Sequence, residues 1–330
     1  MASIKILVLG SGMFARPCVE YLSRSPKSEI SVGCRTLKTA EILVNGLART
    51  KAIQIDVNCD EDLDKAIAAS NVVISLVPFV YHAKIIKIAI ANKVNVVTTS
   101  YVSPAIRAQD EHAKKAGVVV INEVGVDPGV DHLYAIKTID EVHSQDGKIK
   151  EFYSYCGGLP APQNNDNPLG MKFSWSPRGV FLSQCNSASF LKDDKRVDIP
   201  AADLMANAVP EFYGIPEAHT VIRGSLRYDG NPQLTRALLK TGWLDAEPKE
   251  WLSTATPWAE TTARATNAKD SNERSLISKI KEICSYTGEK ELDLIISGFR
   301  WMGLLSDGKA TVQGTLLDTL AKHLEKTMSF

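Results

Sequence analysis

Residues 9–15 of the chain read LGSGMFA and follow directly on the apolar run Ile4–Leu9. Glycines at this spacing after a strand are typical of the turn that opens a dinucleotide-binding βαβ unit. Gly10 permits the tight turn, Gly12 lets the backbone approach a pyrophosphate, and Ala15 allows close packing of helix on strand. The helix that begins here offers N–H groups and a favourable dipole to phosphates. The predicted cofactor contacts in this turn are Gly10, Ser11, Gly12, Met13 and Phe14.

Short apolar segments and helical patterns alternate through residues 1–128. The apolar segments are rich in Val and Ile, and several are apolar on both faces, as strands of a covered parallel sheet are. Right-handed crossovers leave few other topologies, so we predict a Rossmann-type, doubly wound α/β domain over 1–128. The predicted strands are Ile4–Leu9, Ile30–Gly33, Ala52–Asp56, Val72–Val77, Val94–Thr99 and Val118–Asn122. The predicted helices are Phe14–Arg24, Leu37–Val44, Glu61–Ala69, Tyr81–Asn92 and Pro104–Lys115.

The end of the second predicted strand indicates which dinucleotide is bound. An NAD-specific site carries Asp or Glu there to hold the ribose hydroxyls. This chain has Gly33-Cys34-Arg35-Thr36 instead. The Arg35 guanidinium can pair with a 2′-phosphate, and the Thr36 hydroxyl can hydrogen-bond to it. We predict NADP(H), with contacts at Cys34, Arg35 and Thr36, although a surface arginine in a loop would give the same pattern.

Further cofactor contacts are expected where the later strands of this domain end. Ligands of open α/β sheets lie at the carboxyl ends of the strands, so residues that follow different strands meet at one edge. Each residue by itself could be ordinary loop chemistry, but together they favour a shared site. The predicted contacts at this edge are Asp56, Val57, Val77, Thr99, Ser100, Val126, Asp127 and Pro128.

Candidates for the reaction centre are Tyr101, Asp127 and Cys156, with Ser100 and Ser176 as hydrogen-bonding groups. Asp127 could accept a hydrogen bond from an amine or move a proton, or it is an Asp-Pro turn residue. Tyr101 offers a phenol to a carboxylate or an imine, or it packs as an amphipathic core tyrosine. No base is paired with Cys156 in the sequence, so a thiol at the pocket wall is favoured over a nucleophile. We expect this centre where the carboxyl edge faces the second domain.

Two arginines and two histidines carry alternative interpretations. Arg223 and Arg227 lie four residues apart in the predicted strand Val221–Tyr228, so strand alternation puts them on one face. They could hold a substrate carboxylate or form a solvated strand face. His82 and His132 each begin a predicted helix and are interpreted as capping or structural residues.

The pattern changes after residue 129. A Gly-, Pro- and Asn-rich loop separates two predicted strands, and residues 231–330 are mostly helical. We predict a second α/β domain over 129–230 and a helical lobe over 231–330 that returns toward it. The segments are helix Asp131–Val142, strand Lys148–Tyr155, loop Gly157–Pro177, and helices Leu276–Cys284, Leu292–Leu304 and Leu316–Leu324.

The composition excludes several classes of function. Lys+Arg and Asp+Glu both number 38, which argues against nucleic-acid and membrane partners and suits a small charged metabolite. The six cysteines show no CxxC and no zinc-like spacing, so we expect a reduced, cytoplasmic protein with no metal. No run approaches the ~18 apolar residues that cross a bilayer, and we expect a soluble protein.

The chain also contains GSGMFARP, VGCRTL, VISLVPFVYHA, VVTTSYVSPA, INEVGVDPGVDHLYAIKTIDEVH, SYCGGLPAP, DNPLGMKFSWSPRGV, VIRGSLRYDG, WMGLLSD and LLDTLAKHLE. These motifs span nearly the whole sequence and resemble the saccharopine reductases, the NADP-linked, L-glutamate-forming saccharopine dehydrogenases of lysine biosynthesis. The resemblance implies reversible formation of saccharopine from L-2-aminoadipate 6-semialdehyde and L-glutamate, by reduction of an imine with NADPH. It also implies a homodimer with an α/β substrate-binding and dimerisation domain and a small helical lobe.

The same resemblance implies roles for particular residues. Asp127, Tyr101 and Cys156 would line the catalytic pocket, and Ser176 would join the cofactor contacts. Saccharopine carries three carboxylates, so its site needs cations and hydroxyls beside the hydride donor. The implied substrate contacts are Ser100, Tyr101, Asp127, Arg223, Gly224, Ser225 and Arg227.

Two departures from the family pattern are visible. Leu204–Pro210 runs almost directly into Tyr213–Ala218, without the family's intervening motif and its substrate-binding arginine. The family's chains also continue past the position of Phe330 with a strand and a helix. We favour omission of these segments over a shortened variant, because loss of a sheet-closing segment would expose apolar surface.

Two alternatives remain open at this point. A polyamine imine reductase of the homospermidine or carboxynorspermidine type would use the same fold, but several arginines at the pocket favour a tricarboxylate over a polycation. A catalytically silent NADP-binding protein is the other alternative if the missing segments are real deletions.

Overall fold

A computed structural model describes residues 3–199, 213–252 and 255–329. They form two compact units, Met1–Thr138 and Ile139–Phe330. The junction after Leu204–Pro210, where the family motif is missing, lies outside the described residues. Residues 129–138 of the predicted α/β domain lie in the first unit, and the rest of that domain lies in the second unit with the predicted helical lobe; the predicted division into domains stays a prediction.

Six parallel strands form the sheet of the first unit within its described residues. They are β1 (Ile4–Leu9), β2 (Ser28–Cys34), β3 (Thr50–Gln54), β4 (Val72–Ser75), β5 (Asn95–Thr98) and β6 (Val120–Ile121). The order across the sheet is β3-β2-β1-β4-β5-β6. The chain therefore reverses direction across the sheet between β1 and β4, and the predicted doubly wound fold is confirmed.

Side chains of β1 alternate between two hydrophobic cores. Leu7 and Leu9 belong to one cluster, whereas Ile6 and Val8 belong to another. All four are buried. Since successive residues of a strand point to opposite faces, both faces of the sheet are covered by helices. This is why the strand is apolar at consecutive positions.

Helices connect the strands at nearly the predicted positions. They are α1 (Ala15–Ser23), α2 (Leu37–Val44), α3 (Asp60–Ala68), α4 (His82–Ala91), α5 (Pro104–Arg107) and α6 (Asp110–Ala116). The prediction of one continuous helix over Pro104–Lys115 is wrong. The Gln109 amide donates to the Ile106 carbonyl at 2.9 Å, a three-residue turn that interrupts the four-residue repeat of an α-helix.

A smaller mixed sheet lies in the described part of the second unit. Its strands are β7 (Glu151–Cys156), β8 (Ala188–Lys192), β9 (Lys195–Ile199) and β10 (Thr220–Ser225), in the order β7-β10-β8-β9. The strands predicted near Tyr155 and Val221 are confirmed, with shifted ends. The β8–β9 hairpin was missed, because its turn residues Asp193 and Asp194 take the positive φ of a hairpin turn without an Asn-Gly or Asp-Gly signal.

The described residues contain seven further α-helices after β6. They are α7 (Val130–His143), α8 (Pro177–Ser183), α9 (Asn231–Lys240), α10 (Trp258–Thr266), α11 (Glu273–Ile283), α12 (Glu289–Trp301) and α13 (Leu316–Met328). One large cluster, which includes Phe173, Phe181, Trp243, Phe299 and Leu317, forms the core of the second unit. The apolar positions predicted on the last three helices supply much of this core.

Within residues 3–199, 213–252 and 255–329, no helix is long and apolar enough to cross a membrane. The same ranges contain no group of three or more His, Cys, Asp and Glu side chains arranged to hold a metal ion. All six cysteines are thiols rather than disulfides.

Candidate active site

The glycine-rich turn between β1 and α1 fits a dinucleotide. Gly10 has a φ of +110°, and a Cβ there would lie 3.0 Å from the Leu76 carbonyl oxygen, so this position needs glycine. At Gly12 a Cβ would meet nothing within 4 Å. Ala15 is buried where α1 begins. The backbone around Gly12 therefore faces open space at a helix N-terminus, where a pyrophosphate can approach.

A cluster of hydroxyls and a thiol joins the glycine turn to the end of β2. The Thr39 side chain lies 3.1 Å from Ser11 Oγ and 3.0 Å from Cys34 Sγ, and it donates to the Thr36 carbonyl at 2.7 Å. Burial opposes ionisation of the Cys34 thiol, but its hydrogen bonds with the Ser11 and Thr39 side chains and with the backbone at Thr36 and Ala40 hold the pKa of this thiol below its usual value. Thr39 was missed by sequence reasoning, although its place in the first turn of α2 was visible.

Arg35 follows this cluster and is exposed. Its positive charge contributes to a lowered pKa at Asp56, after the larger effect of the Asn58 backbone N–H. Asp56 Oδ1 accepts from both the backbone and the side-chain nitrogen of Asn58 at 2.9 Å. Val57 offers its carbonyl to Lys84 Nζ at 2.8 Å. The predicted cofactor residues after β2 and β3 therefore share one edge of the sheet.

Tyr101 and Asp127 are brought together after β5 and β6. The Tyr101 hydroxyl donates to Asp127 Oδ1 at 2.6 Å, and both residues are exposed. The turn that carries Asp127 is tight, because a Cβ on Gly129 would clash with the Gly125 carbonyl oxygen. Tyr101 exposes 53% of its surface, so the interpretation that it packs as a core tyrosine is wrong.

A buried histidine, His82, contacts Ser100, the residue that precedes Tyr101. His82 Nδ1 is 2.9 Å from Ser75 Oγ, and its Nε2 is 3.0 Å from Ser100 Oγ. Ser75 and His82 have no exposed surface, and burial lowers the pKa of His82 to about 4. The hydrogen bond to Ser100 ties His82 to a predicted site residue, and the structural interpretation of His82 stays a prediction.

The remaining predicted residues of the first unit lie at the same carboxyl edge. Val77 is partly buried and packs on a core cluster. Thr99 is partly buried, Val126 is exposed and Pro128 is buried. Met13 and Phe14 expose about half of their surface, 51% and 56% respectively.

In the second unit, Cys156 and Arg227 form a group of their own. The Leu226 amide donates to the Cys156 carbonyl at 2.9 Å, just beyond the parallel pairing of β7 with β10. Burial lowers the pKa of Arg227, and a charge interaction with the nearby Cys156 side chain acts in the opposite direction. Arg227 Nη1 donates to the Leu226 carbonyl at 2.7 Å, whereas its buried Nε has no hydrogen-bond partner among the described residues.

The predicted alternation of Arg223 and Arg227 on one strand does not hold. β10 ends at Ser225, so Arg227 lies beyond the regular strand and the two-residue period does not reach it. Arg223 is partly buried and pairs in register with Ser154 of β7. A Cβ on Gly224 would lie 3.0 Å from the Tyr155 ring.

Ser176 lies at the start of α8 in the second unit. Its hydroxyl accepts from the Gly179 amide at 3.2 Å and so caps the helix. It lines an open groove with Arg178 and Asp318, which form an ion pair at 2.6 Å. The predicted loop ended where this helix begins.

A doubly wound sheet whose glycine turn fits a dinucleotide, with a hydroxyl–carboxylate pair at the same edge, is typical of nucleotide-dependent oxidoreductases. The comparisons with known proteins narrow this class. The chain belongs to the saccharopine dehydrogenase family: the family's NADP binding domain matches residues 6–121 and its C-terminal domain matches residues 125–330. The resemblance seen in the sequence and the choice of NADP are both confirmed.

Individual relatives agree over nearly the full chain. Saccharopine dehydrogenase (NADP+, L-glutamate-forming) of Schizosaccharomyces pombe is 47% identical over 98% of this chain and 78% of its own. The alpha-aminoadipic semialdehyde synthase of Bos taurus is 34% identical over 99% of this chain and 38% of its own. The apo saccharopine dehydrogenase (L-Glu forming) structure from Saccharomyces cerevisiae superposes with a TM-score of 0.82 at 44% identity, covering 99% of this chain and 78% of that one.

Proposed function

We propose that the chain catalyses the reversible, NADP-linked formation of saccharopine from L-2-aminoadipate 6-semialdehyde and L-glutamate, in lysine biosynthesis by the α-aminoadipate pathway. The observation that carries the proposal is the Tyr101–Asp127 pair at the carboxyl edge of an NADP-binding sheet. Relatives at 47% and 44% identity carry the name of this activity.

The reaction joins two substrates and then reduces the product. The glutamate amine adds to the aldehyde and loses water, which leaves an imine. When bound, NADPH supplies a hydride to the imine carbon, and the nitrogen takes up a proton to give the secondary amine of saccharopine. The chain itself must hold the carboxylates, orient the imine and manage the proton.

We propose that the Asp127 carboxylate accepts a hydrogen bond from the reacting nitrogen of the substrate. An ionised carboxylate only accepts hydrogen bonds, so it suits the N–H of an ammonium or a protonated imine. The Tyr101 hydroxyl, which donates to Asp127 Oδ1, fixes the direction of that carboxylate. Ser100 precedes Tyr101 and supplies a further hydroxyl to the substrate. Asp127 and Tyr101 are thus the proposed catalytic residues of the first unit.

Substrate carboxylates are assigned to cations and hydroxyls of the second unit. The partly buried guanidinium of Arg227 has an Nε without a partner among the described residues, which supports a role as a carboxylate ligand. Cys156 lies beside it, and we propose that this thiol lines the pocket rather than attacking the substrate. The proposed carboxylate contacts are Arg223, Gly224, Ser225 and Arg227.

The cofactor contacts are proposed where the sequence predicted them. Open space at Gly12 and the exposed guanidinium of Arg35 support pyrophosphate and 2′-phosphate binding, respectively. The proposed set is Gly10, Ser11, Gly12, Met13, Phe14, Cys34, Arg35, Thr36, Asp56, Val57, Val77, Thr99, Ser100, Val126, Asp127, Pro128 and Ser176.

A spectrophotometric assay tests the proposal. The protein is mixed with NADPH, L-glutamate and the semialdehyde, and the loss of nicotinamide absorbance is followed. We expect turnover that depends on both substrates, together with NADP+ reduction by saccharopine in the reverse direction. Turnover with a diamine in place of glutamate would instead support a polyamine imine reductase. Tight NADPH binding without any turnover would support the catalytically silent alternative.

We also propose a cytoplasmic homodimer that associates through the α/β domain at 129–230. All six cysteines are thiols, as expected for a reducing compartment. Sedimentation equilibrium checks the assembly, and a mass near that of one chain would contradict it. Fractionation of cells that express the protein checks the compartment.

A further inference from the structure

Three polar side chains form a hydrogen-bonded chain at the carboxyl ends of β4 and β5. Ser75 ends β4, His82 begins α4, and Ser100 follows β5. The imidazole lies between the two hydroxyls, at 2.9 Å from Ser75 Oγ and 3.0 Å from Ser100 Oγ. Ser75 and His82 are fully buried, whereas Ser100 is partly exposed beside Tyr101. One end of this hydrogen-bonded chain, at Ser75, is therefore inaccessible to solvent, and the other end, at Ser100, lies at the proposed site.

The imidazole in this chain is neutral at physiological pH. Burial lowers the pKa of His82 to about 4, so the ring carries a single N–H. A neutral imidazole donates through one nitrogen and accepts through the other. Only two arrangements are therefore compatible with the distances: His82 donates either to Ser75 or to Ser100.

The buried end decides between these arrangements. Within the described residues, the Ser75 hydroxyl has its one side-chain hydrogen bond with Nδ1 of His82. If the ring donated to Ser75, the buried Ser75 proton would lack an acceptor, at a cost of about 1–3 kcal/mol. Ser75 therefore donates to Nδ1, and Nε2–H donates to Ser100 Oγ. This leaves the Ser100 proton directed away from the ring.

We propose that His82 is a positioning residue that turns the Ser100 hydroxyl proton toward the ligand, so that Ser100 donates to an oxygen acceptor. The inference rests on the proposed function, which assigns Ser100 to the site. The acceptor is a carboxylate oxygen of the substrate or the carboxamide oxygen of the nicotinamide. With the opposite tautomer, Ser100 would instead accept from an N–H and would favour an ammonium. His82 thus determines whether the Ser100 hydroxyl donates a hydrogen bond to the ligand or accepts one from it.

A double-mutant cycle tests the inference. Ser75→Ala removes the donor to Nδ1 without touching the ligand, so the ring can take either tautomer. We expect kcat/KM for saccharopine to fall about tenfold with Ser100 present, and by less than about twofold in a Ser100→Ala background, because coupled residues are non-additive. An equal fall in both backgrounds, or no fall, overturns the proposal. Alongside the expected fall, a rise in the NADPH Kd identifies the carboxamide as acceptor, and a rise in the saccharopine KM at an unchanged NADPH Kd identifies the carboxylate.

The matched control is Ser70→Ala. Ser70 lies before β4, at the opposite end from Ser75, and its partly buried hydroxyl donates to the Ala66 carbonyl at 2.9 Å. We expect this variant to keep the kcat/KM of the unmodified protein. A fall equal to that of Ser75→Ala would assign the effect to loss of any buried or partly buried hydroxyl near β4 and would overturn the proposal.

A second measurement needs no catalysis. Nitrogen-15 NMR of the histidine-labelled protein distinguishes a protonated from an unprotonated ring nitrogen, and His82→Gln assigns the signals. We expect Nε2 protonated and Nδ1 unprotonated at neutral pH. The reverse pattern overturns the inference even if Ser75→Ala fails to fold. If the protein shows no turnover, the proposed function fails, yet the tautomer still decides this inference.

Discussion

The Tyr101 hydroxyl donates to Asp127 Oδ1 across 2.6 Å, although 26 positions separate the two residues in the chain. Strands β5 and β6 are parallel neighbours, so the residues that follow them emerge at the same edge of the sheet. A short O–H···O bond to a carboxylate is charge-assisted and about twice as strong as a neutral one. The pair is therefore the most direct part of the proposed site to test.

Substitution of Tyr101 by Phe removes this hydrogen bond and little else, because the ring remains. We expect kcat for saccharopine to fall roughly ten- to a hundredfold, as loss of about 1.5–3 kcal/mol in the transition state implies. The NADPH Kd should stay unchanged. Steady-state kinetics and a fluorescence titration with NADPH check both outcomes.

Tyr21→Phe is the matched control, since Tyr21 is an exposed tyrosine on α1. It should leave kcat unchanged. An unaltered kcat in Tyr101→Phe would mean that this hydroxyl does not orient the carboxylate during the reaction. A rise in the NADPH Kd instead would indicate that Tyr101 contacts the cofactor rather than the substrate.

We expect Gly10→Ala to lower the stability of the fold and Gly12→Ala to weaken NADPH binding. Gly10→Ala forces a Cβ to within 3.0 Å of the Leu76 carbonyl at a φ of +110°, so the free energy of unfolding should fall by about 1–3 kcal/mol. Gly12→Ala meets nothing within 4 Å and should leave that free energy unchanged. It should weaken NADPH binding at least tenfold, because the methyl occupies the space of the pyrophosphate. Urea denaturation and NADPH titration separate the two effects.

Gly46→Ala controls for backbone strain alone. Gly46 has a φ of +78° and open space around it, so this variant carries strain without a steric clash. Its loss of stability should be smaller than that of Gly10→Ala. Equal losses would show that the contact with Leu76 contributes nothing, and unchanged NADPH affinity in Gly12→Ala would contradict the proposed pyrophosphate position.

The sequence predicts most of the first unit because its signals are local. The β1 run, the glycine turn and Arg35 lie within one βαβ unit, where strand and turn chemistry act over a few residues. The hairpin at Asp193 and the turn at Gln109 were missed, because neither carries a glycine or proline to mark it.

Side-chain contacts were predictable only in part. The carboxyl-edge rule brings Tyr101 and Asp127 to the same edge, but it gives neither the 2.6 Å contact nor its direction. The contacts of His82 with Ser75 and Ser100 depend on how α4 packs on the sheet. No pattern of spacing in the sequence encodes that packing.

Arg35 is expected to decide the preference for NADPH over NADH. Loss of a charge-assisted hydrogen bond costs about 1.5–3 kcal/mol, so Arg35→Ala should raise the NADPH KM roughly ten- to a hundredfold. The NADH KM should change less than about twofold, because NADH has no 2′-phosphate. Arg24→Ala, at another exposed arginine of the first unit, is the control and should alter neither value. If Arg35→Ala leaves the ratio of the NADPH KM to the NADH KM unaltered, Arg35 does not bind the 2′-phosphate.

His82 should make the fold less stable in mild acid. Its pKa lies near 4 in the folded chain because of burial, against an ordinary 6.5 in the unfolded chain. Between these values the unfolded chain binds a proton that the folded chain does not, so stability falls as the pH falls through this window. The full loss is about 3 kcal/mol. Urea denaturation at a series of pH values should show a smaller loss in His82→Gln.

His112→Gln, an exposed histidine on α6, controls for the chemistry of the substitution. If His82→Gln and the unmodified protein lose equal stability between pH 6.5 and about 4, burial does not hold His82 neutral. Ser100 would then not face an imidazole with a single N–H.

Arg227 should contribute to substrate binding more than to the fold. Its guanidinium is partly buried, burial lowers its pKa, and its Nε lacks a partner among the described residues. Removal of a poorly paired buried charge is often neutral or stabilising, so Arg227→Met should keep or raise the free energy of unfolding. The saccharopine KM should rise roughly ten- to a hundredfold, because a carboxylate loses a charge-assisted hydrogen bond. Arg196→Met, at an exposed arginine paired with Asp198 on β9, should leave that KM unchanged. If Arg227→Met lowers stability at a constant KM, the guanidinium holds the end of β10 rather than the substrate.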